Sequence, residues 1–350
     1  MSSRSAAWRD SGGATHPFGM TAFDFSERIR VSPHTVERLI VVIDSRAVTR
    51  LKSVIGSHAH TEALRDGRVT SPRVSLEFEA IEGTLRNAMT RMARRAEFDL
   101  CEMSPTSYLM ARLDGASLIA LPVFPYRQFP LDQIVVRSDA GVDGPGDLPG
   151  KRIGTRTWAQ PTGLWIREML RSQYDCDLKD SGWTFVAEDP FPGVRRPEGW
   201  VDRRGETLAS LLAEGHVDVA IGLAEVPDGC QPLFGKPVEE ARAWYARTRL
   251  VPVNHLIALR GEHRDPGLTG ELCRMFEAAK REFLAIADDS GLAGPEVGPL
   301  RLVTGLYDPL PYGWSANEDV CGALTEAMYR QGMCDGRLPA AELVEAVEPA

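Results

Sequence analysis

Residues 98–129 constrain the fold more than any other part of the chain, because they contain a strand, a polar turn, a helix and a second strand in immediate succession. The first apolar run ends at Ser104, and Pro105 suits the first turn of a helix, where its missing N–H costs little. The apolar run at 118–124 then predicts a second strand. This succession is typical of an α/β domain.

A second copy of a helix–strand pattern predicts that the chain forms two such domains. Residues 85–100 and 208–221 both show helical periodicity, followed by a charged turn and a short apolar strand that contains an aspartate. Because more than a hundred residues separate the two units, they favour two α/β lobes over one long sheet.

The predicted boundaries place a cleft between the two lobes. Residues 1–49 form a partly disordered N-terminal extension with a strand at 38–43, lobe 1 comprises 50–132 and 250–350, and lobe 2 comprises 133–249. Two crossings, near Gln133 and Leu250, would act as a hinge. Loops from the carboxyl ends of the strands would gather at the cleft, where α/β proteins bind their ligands.

Composition favours a soluble globular protein that binds neither nucleic acid nor a membrane. The 350-residue chain is 43% hydrophobic and can bury a large core. Its formal net charge of −9 is not the basic balance of a nucleic-acid-binding protein. No apolar run reaches the roughly 20 residues needed to cross a bilayer. The N-terminal residues lack the apolar stretch of a secretory signal, so we expect a cytoplasmic protein.

Three hydroxyl side chains, Ser104, Thr106 and Ser107, stand where a predicted strand ends and a helix begins. Backbone N–H groups at a helix start have no intrahelical partner, so they and the hydroxyls would face a ligand. Arg127, shortly after the strand at 118–124, adds a cation whose fork geometry suits a carboxylate or phosphate. An ordinary loop arginine paired with a surface acid is the alternative for Arg127. This side of the cleft favours a small anion.

On the second lobe, Trp158, Gln160 and Thr162 stand at the start of the helix predicted from Pro161. A helix N-terminus can hold an anion from the opposite side of the cleft, and Trp158 could stack on an aromatic ligand. Tyr312 lies in a proline-rich loop dense in hydrogen-bonding groups. It is either a contact to the ligand or part of the cap of the helix that follows.

Histidines are the candidates for proton transfer. After the first core strand, His60 is expected to contact the ligand or donate a proton, whereas His58 is expected at the surface or as a helix cap. His255 lies in an apolar strand, either as a core residue or as a proton-transfer group in the cleft. The His-Ala-His spacing also suits a metal, but no further group completes a ligand shell. We therefore expect no metal, with a divalent ion as the alternative.

Sequence signatures of several other enzyme classes are missing. There is no GxSxG motif, no Walker loop and no complete dinucleotide fingerprint. The six cysteines are scattered without zinc-ligand spacing, which predicts free thiols, and Cys101 is expected to be a small core residue. Hydrolase, NTPase and Rossmann oxidoreductase functions therefore lose their main support.

Five motifs are distributed along the chain: LKSVIGSHAHTEALRDGRV at 51–69, FDLCEMS at 98–104, PVFPYR at 122–127, DLPGKRIG at 147–154, and PYG at 311–313 with Asn317. Together they resemble the 4,5-dihydroxyphthalate decarboxylase family over nearly all of 50–338. Ser57 and His58 stand where the family usually has Asp-Tyr. The resemblance implies a two-lobed, type II periplasmic-binding-protein-like fold, in agreement with the α/β class predicted above.

The resemblance implies non-oxidative decarboxylation of a hydroxylated aromatic carboxylate similar to 4,5-dihydroxyphthalate, without a cofactor. Under this hypothesis Arg127, Ser104 and Ser107 bind the carboxylates, His255 or His60 transfers the proton, and Tyr312 and Trp158 contact the ring. The alternative is a cytoplasmic solute-binding or sensing protein that closes on a small carboxylate without changing it. A different biosynthetic enzyme on the same fold is a third possibility. No oligomeric state is predicted.

Overall fold

The computed structural model describes residues 48–81, 83–189, 194–290 and 294–348, which belong to one compact unit. The predicted N-terminal extension and the strand predicted at 38–43 lie outside the described residues.

Strands and helices alternate through most of the described chain. The strands are β1 (Thr49–Val54), β2 (Val74–Phe78), β3 (Leu100–Met103), β4 (Leu118–Arg127), β5 (Ile134–Arg137), β6 (Arg152–Thr155), β7 (Gly182–Phe185), β8 (Val201–Asp202), β9 (Val219–Ile221), β10 (Cys230–Pro232) and β11 (Val253–Arg260). The α-helices are α1 (Glu62–Arg65), α2 (Leu85–Arg95), α3 (Pro105–Leu113), α4 (Pro161–Tyr174), α5 (Leu208–Ala213), α6 (Pro237–Thr248), α7 (Pro266–Ser290), α8 (Gly294–Thr304) and α9 (Glu318–Arg330). Short 3-10 helices occur at Ala59–Thr61, Pro130–Gln133, Pro145–Asp147, Gly261–His263 and Ala340–Glu342.

Two mixed sheets form the frame of the protein. The first has the order β2-β1-β3-β11-β4, and β11 runs antiparallel to both of its neighbours. The second has the order β10-β5-β9-β6-β7-β8, and β5 runs antiparallel to both of its neighbours. The other pairs in both sheets are parallel. The predicted fold class, α/β with two lobes, is confirmed.

The chain passes between the sheets twice. It leaves the first sheet after β4, enters the second at β5, and returns through α6 to β11. We call the elements around the first sheet lobe 1 and those around the second lobe 2. Trp165 on α4 donates its indole N–H to the carbonyl of Val253 on β11 at 2.8 Å, which joins lobe 2 to the returning strand.

Apolar side chains of both sheets are buried against the surrounding helices. In lobe 1 Leu51, Ile257 and Phe276 belong to one such core cluster, and in lobe 2 Val135 and Leu211 belong to another. Cys101 is buried in the core, as predicted, and all six cysteines are free thiols. None of the helices in the described part of the chain is long and apolar enough to cross a bilayer.

Several elements differ from those predicted. Helix α8 was not predicted because its sequence contains glycines and prolines, which usually interrupt helices. Strands β8 and β10 are too short for periodicity to reveal them. The helix predicted at 340–346 is a single 3-10 turn, and β4 continues to Arg127, beyond its predicted end at 124.

Candidate functional site

A cavity of about 290 Å³ lies between the lobes. Lobe 1 contributes the beginnings of α2 and α3, together with Tyr126, Asn254 and His255. Lobe 2 contributes the turn after β6 and the beginning of α4. This volume is near the lower end of the roughly 300–1,000 Å³ usual for ligand pockets, which suits a ligand with one small ring.

Three helices begin at this cavity. The hydroxyl of Thr84 accepts a hydrogen bond from the backbone N–H of Asn87 in the first turn of α2 (3.3 Å), and Ser104 caps α3 by accepting from Ser107 N–H (3.1 Å). Gln160 precedes α4 and forms no side-chain cap. Residues from all three helix starts line the cavity. Because helix N-termini carry partial positive charge, the cavity favours an anion.

A fully buried carboxylate, Glu102 at the end of β3, lies behind His255. It accepts hydrogen bonds from the backbone N–H of Gly56 (2.7 Å), from His58 Nε2 (2.9 Å) and from His255 Nδ1 (2.5 Å). Burial alone would raise the pKa of Glu102, but the hydrogen bonds from His255 and His58 outweigh it and hold the pKa well below its usual range. Glu102 is therefore an ionised group that fixes two imidazole rings.

His255 presents its other ring nitrogen to the cavity. Since the Glu102 carboxylate only accepts hydrogen bonds, Nδ1 of His255 carries a hydrogen. The side chain is 23% exposed and lines the cavity, and Nε2 has no hydrogen-bond partner among the described residues. The β4–β11 pairing shifts register on both sides of His255, and such irregularities commonly re-aim a side chain at a functional site. Nε2 is thus available to a ligand.

His58 is a buried cation. Its Nε2 lies 2.9 Å from Glu102 and its Nδ1 lies 3.0 Å from Glu296, so both nitrogens must carry hydrogen. Burial opposes this charge, but the hydrogen bonds to Glu102 and Glu296 outweigh it and raise the pKa of His58 to about 10. The expectation of a surface or capping role was wrong, because His58 is buried and forms no side-chain cap.

Glu296 on α8 contacts both the His58 cation and a third imidazole, His60. Burial would raise the pKa of Glu296, but its contacts with His58 and His60 lower it to about 2. His60 is completely buried, and its Nδ1 lies 3.3 Å from Glu296, although neither ring nitrogen makes a well-formed hydrogen bond. Burial lowers the pKa of His60, so this ring is neutral at pH 7.

Tyr126 lies beside both histidine partners of Glu102, the buried His58 and the partly exposed His255. Its ring centroid is 5.1 Å from that of His255 and 6.4 Å from that of His58. Its hydroxyl donates to Gln128 Oε1 (2.9 Å), and Gln128 Nε2 donates to Thr162 of lobe 2 (3.0 Å). Tyr126 also lines a second, mostly apolar cavity of about 440 Å³ between α6 and α8. The ring therefore forms an aromatic wall of the smaller cavity and is linked to both lobes.

A possible cation site occurs elsewhere in the described residues. Asp99, Glu262 and His263 bring three ligand atoms within 4.8 Å of one another, outside the lining of the interlobe cavity. Arg260 forms ion pairs with both carboxylates and compensates their charge. The two histidines of the His-Ala-His motif, His58 and His60, do not belong to this group and lie close to Glu296.

Comparison with known proteins identifies the family. A 4,5-dihydroxyphthalate decarboxylase from Comamonas testosteroni is 30% identical over 319 residues, which cover 84% of this chain and 96% of that protein. The chain belongs to the 4,5-dihydroxyphthalate decarboxylase family. A protein of the same name from Pseudomonas putida is 29% identical over 181 residues, which cover 49% of this chain and 69% of that protein. No family model matches the chain.

Solved structures with distant sequences also align with the chain. The periplasmic aliphatic sulphonate-binding protein SsuA from Escherichia coli has a TM-score of 0.49 at 14% identity, over 87% of this chain and 94% of that chain. The desulfurization enzyme DSZB has a TM-score of 0.48 at 13% identity, over 84% of this chain and 96% of that chain.

Half of the site residues predicted from the sequence line the cavity of this family member. They are Ser104, Ser107, Gln160, Thr162 and His255. The other five do not line it: His60, Thr106, Arg127, Trp158 and Tyr312.

Arg127 is turned into lobe 1 instead of toward the interlobe cavity. Its side chain is buried and donates to the carbonyls of Val251 (3.0 Å) and Pro311 (3.1 Å) and to Asn317 Oδ1. Because β4 extends through position 127, successive side chains point to opposite faces, and Tyr126 rather than Arg127 lies at the cavity. Arg127 therefore joins the returning crossing to the loop before α9.

The remaining predicted contacts also have partners within the protein. Thr106 donates its hydroxyl to the carbonyl of Ala159 (2.6 Å), which joins α3 to lobe 2. Trp158 is buried and donates to the carbonyl of Gln331 (3.1 Å). Tyr312 is buried in the lobe 1 core, so its ring packs there and not against the cavity.

Sequence reasoning missed Glu102, Tyr126 and Glu296, as well as two cavity arginines, Arg86 and Arg156. The signal for Glu102 was present, because an acid inside an otherwise apolar strand must find partners. Glu296 had no such signal, since it lies far from His58 along the chain and the two meet only through the tertiary fold.

Proposed function

We propose that this protein is a non-oxidative decarboxylase of a hydroxylated aromatic carboxylate of the 4,5-dihydroxyphthalate type, with His255 as the proton donor. The observation that carries the proposal is the pair Glu102–His255. Its buried carboxylate fixes one ring nitrogen and leaves the other in a cavity where three helices begin. Membership of a family in which two relatives are named 4,5-dihydroxyphthalate decarboxylase supports the same reaction.

The chemistry requires a proton at one ring carbon. In 4,5-dihydroxyphthalate each carbon that bears a carboxylate has a hydroxyl para to it, and this oxygen supplies electron density to the ring. The imidazolium of His255 transfers its Nε2 proton to that carbon, and a C–H bond forms. The bond to the carboxylate then breaks, CO₂ leaves, and the bonding electron pair returns to the ring. One proton is consumed and no electrons are transferred to an acceptor.

Glu102 serves this step by orienting the His255 ring and fixing the hydrogen on Nδ1. A carboxylate hydrogen-bonded to Nδ1 fixes the tautomer and ring orientation, as in other acid–histidine pairs. The Tyr126 ring offers an aromatic surface beside the imidazole. The helix starts would hold the carboxylates. Function without a cofactor and a cytoplasmic location stay predictions.

The test is to incubate the purified protein with 4,5-dihydroxyphthalate and to measure the release of CO₂ by mass spectrometry. His255→Gln keeps similar volume but cannot donate the proton, so kcat should fall about a hundredfold or more while KM changes little. His216→Gln is the control, because His216 is a partly exposed lobe 2 residue paired with Glu214, away from the cavity.

Full activity of the His255→Gln variant would disprove the assigned role. Thermal stabilisation by 4,5-dihydroxyphthalate without any CO₂ would disprove the enzyme and favour the solute-binding alternative.

A further inference from the structure

Two arginines from opposite lobes line the interlobe cavity. Arg86 lies in the first turn of α2 in lobe 1, and Arg156 directly follows β6 in lobe 2. Among the described residues neither forms an ion pair with an acidic side chain. Arg86 donates to the carbonyl of Glu188 in lobe 2 (2.9 Å), so its side chain already reaches across the cleft.

The nearby acid does not neutralise them. Asp189 acts on Arg86 through its charge, but its carboxylate accepts from the backbone N–H of Ala159 (3.0 Å) and pairs with Arg196 (2.9 Å). Arg86 is partly exposed and Arg156 is exposed, yet the protein atoms around each group lower its pKa, and the charge of Arg86 lowers that of Arg156 further. Guanidinium groups nevertheless stay protonated in proteins. The cavity therefore holds two mutually repelling cations that an anion would stabilise.

The side-chain oxygens of two amide residues at the same cavity accept no hydrogen bond. Asn254 is 2% exposed and its Oδ1 is buried without a partner, and Oε1 of Gln160 is also buried without one. Both residues line the cavity. Buried acceptors without partners are costly, but both oxygens lie beneath the cavity surface, so a ligand hydroxyl would reach them only if these side chains turn toward the cavity. The cavity thus favours an anionic ligand with polar substituents.

We propose that Arg86 and Arg156 form a clamp for the second carboxylate of the substrate, the one retained in the product, and so make the site specific for adjacent dicarboxylates. This inference rests on the proposed function. The clamp draws on both lobes, so the retained carboxylate would also hold the cleft closed. His255 would then face the ring carbon of the other carboxylate.

The clamp would limit the reaction to the loss of one CO₂. Loss of one carboxylate from 4,5-dihydroxyphthalate gives 3,4-dihydroxybenzoate, whose remaining carboxylate is still para to a hydroxyl and is chemically able to leave. If that carboxylate stays between Arg86 and Arg156, the carbon that bears it is held away from His255. The monocarboxylate would also bind with one anchor fewer, which favours its release.

The test measures binding rather than turnover, by titration calorimetry with phthalate and with benzoate. Neither compound carries the para hydroxyl, so both report affinity without reaction. In the wild-type protein phthalate should bind more tightly than benzoate. Arg86→Gln and Arg156→Gln should each weaken phthalate binding by about ten- to a hundredfold, because each removes a charge-assisted contact. Each variant should therefore show a smaller preference for phthalate over benzoate than the wild-type protein.

Matched variants separate the clamp from general effects. Arg95→Gln removes the same charge from an exposed position on the same helix, outside the cavity, and should leave both affinities unchanged. Arg86→Lys keeps the charge but loses the fork geometry and should give an intermediate loss. Far-ultraviolet circular dichroism of each variant checks that it is folded.

The outcomes distinguish this inference from the proposed function. Wild-type protein that does not prefer phthalate, or folded Arg86→Gln and Arg156→Gln variants that keep the wild-type preference, would overturn the clamp even if CO₂ is released from 4,5-dihydroxyphthalate. A preference for phthalate that both variants lose would support the clamp even if no CO₂ is released, in which case only the decarboxylase assignment fails.

Discussion

Replacing Glu102 with glutamine tests the buried charge network directly. In the wild-type protein Oε1 accepts from His255 and Oε2 accepts from the backbone N–H of Gly56, while His58 contacts both oxygens. An amide has only one oxygen, so its NH₂ group must face a donor at one of these positions. The variant also leaves the His58 cation with Glu296 as its remaining carboxylate.

The expected cost follows from the burial of the carboxylate. Removing one partner from a buried ion pair typically destabilises a protein by about 3–5 kcal/mol. A natural domain has about 5–15 kcal/mol of stability, so Glu102→Gln should remain folded but be markedly less stable. Because Glu102 does not line the cavity, KM should change little. The kcat should fall about a hundredfold or more, since the amide no longer holds the His255 ring and its Nδ1 hydrogen as the carboxylate does.

Urea unfolding followed by tryptophan fluorescence measures the first effect, and CO₂ release at saturating 4,5-dihydroxyphthalate measures the second. Glu77→Gln is the control, because Glu77 pairs with Arg50 at the surface and such pairs contribute about 1 kcal/mol or less. A Glu102→Gln variant that unfolds at the same urea concentration as Glu77→Gln, with kcat within a few-fold of wild type, would refute the reasoning.

Two further predictions concern the same network. Gly56→Ala would place a methyl group 2.9 Å from His58 Nε2 and 3.0 Å from Glu102 Oε2. It should therefore lower the free energy of unfolding in urea by about 1–3 kcal/mol and lower kcat. Gly146→Ala is the control, because its methyl group meets open space and should change neither quantity. Because the pKa of His58 rises from 6.5 to about 10 on folding, its contribution to stability is fully present below about pH 6.5 and is lost as the pH rises through about 10. Between pH 7 and 10 wild-type protein should therefore lose more stability than His58→Gln, and equal losses would contradict this assignment.

The sequence allowed the α/β class and the helix starts to be predicted because both depend on local patterns. Ser104 and Pro105 mark the beginning of α3, and the structure places Ser104 at the cavity. Arg127 was misplaced because β4 runs past its predicted end. In a strand one extra residue moves a side chain to the other face, so a small boundary error exchanged Arg127 for Tyr126.

The charge network could not be predicted, since its members meet only through tertiary contacts. Glu102 contacts His255 across two neighbouring strands of lobe 1, and His58 contacts Glu296 on a helix that the sequence pattern did not reveal. Local periodicity shows which residues share a face of one element. It does not show which faces of distant elements come together.

The position of β11 in the first sheet has a consequence for folding during synthesis. This strand lies between β3 and β4, although the whole second sheet separates it from them along the chain. A ribosome releases every strand of lobe 2 before Val253 emerges, so the second sheet has all of its strands first. Until then β3 and β4 lack their shared neighbour and expose unpaired edges. The nascent chain is therefore most prone to aggregation just before the strand that carries His255 is inserted.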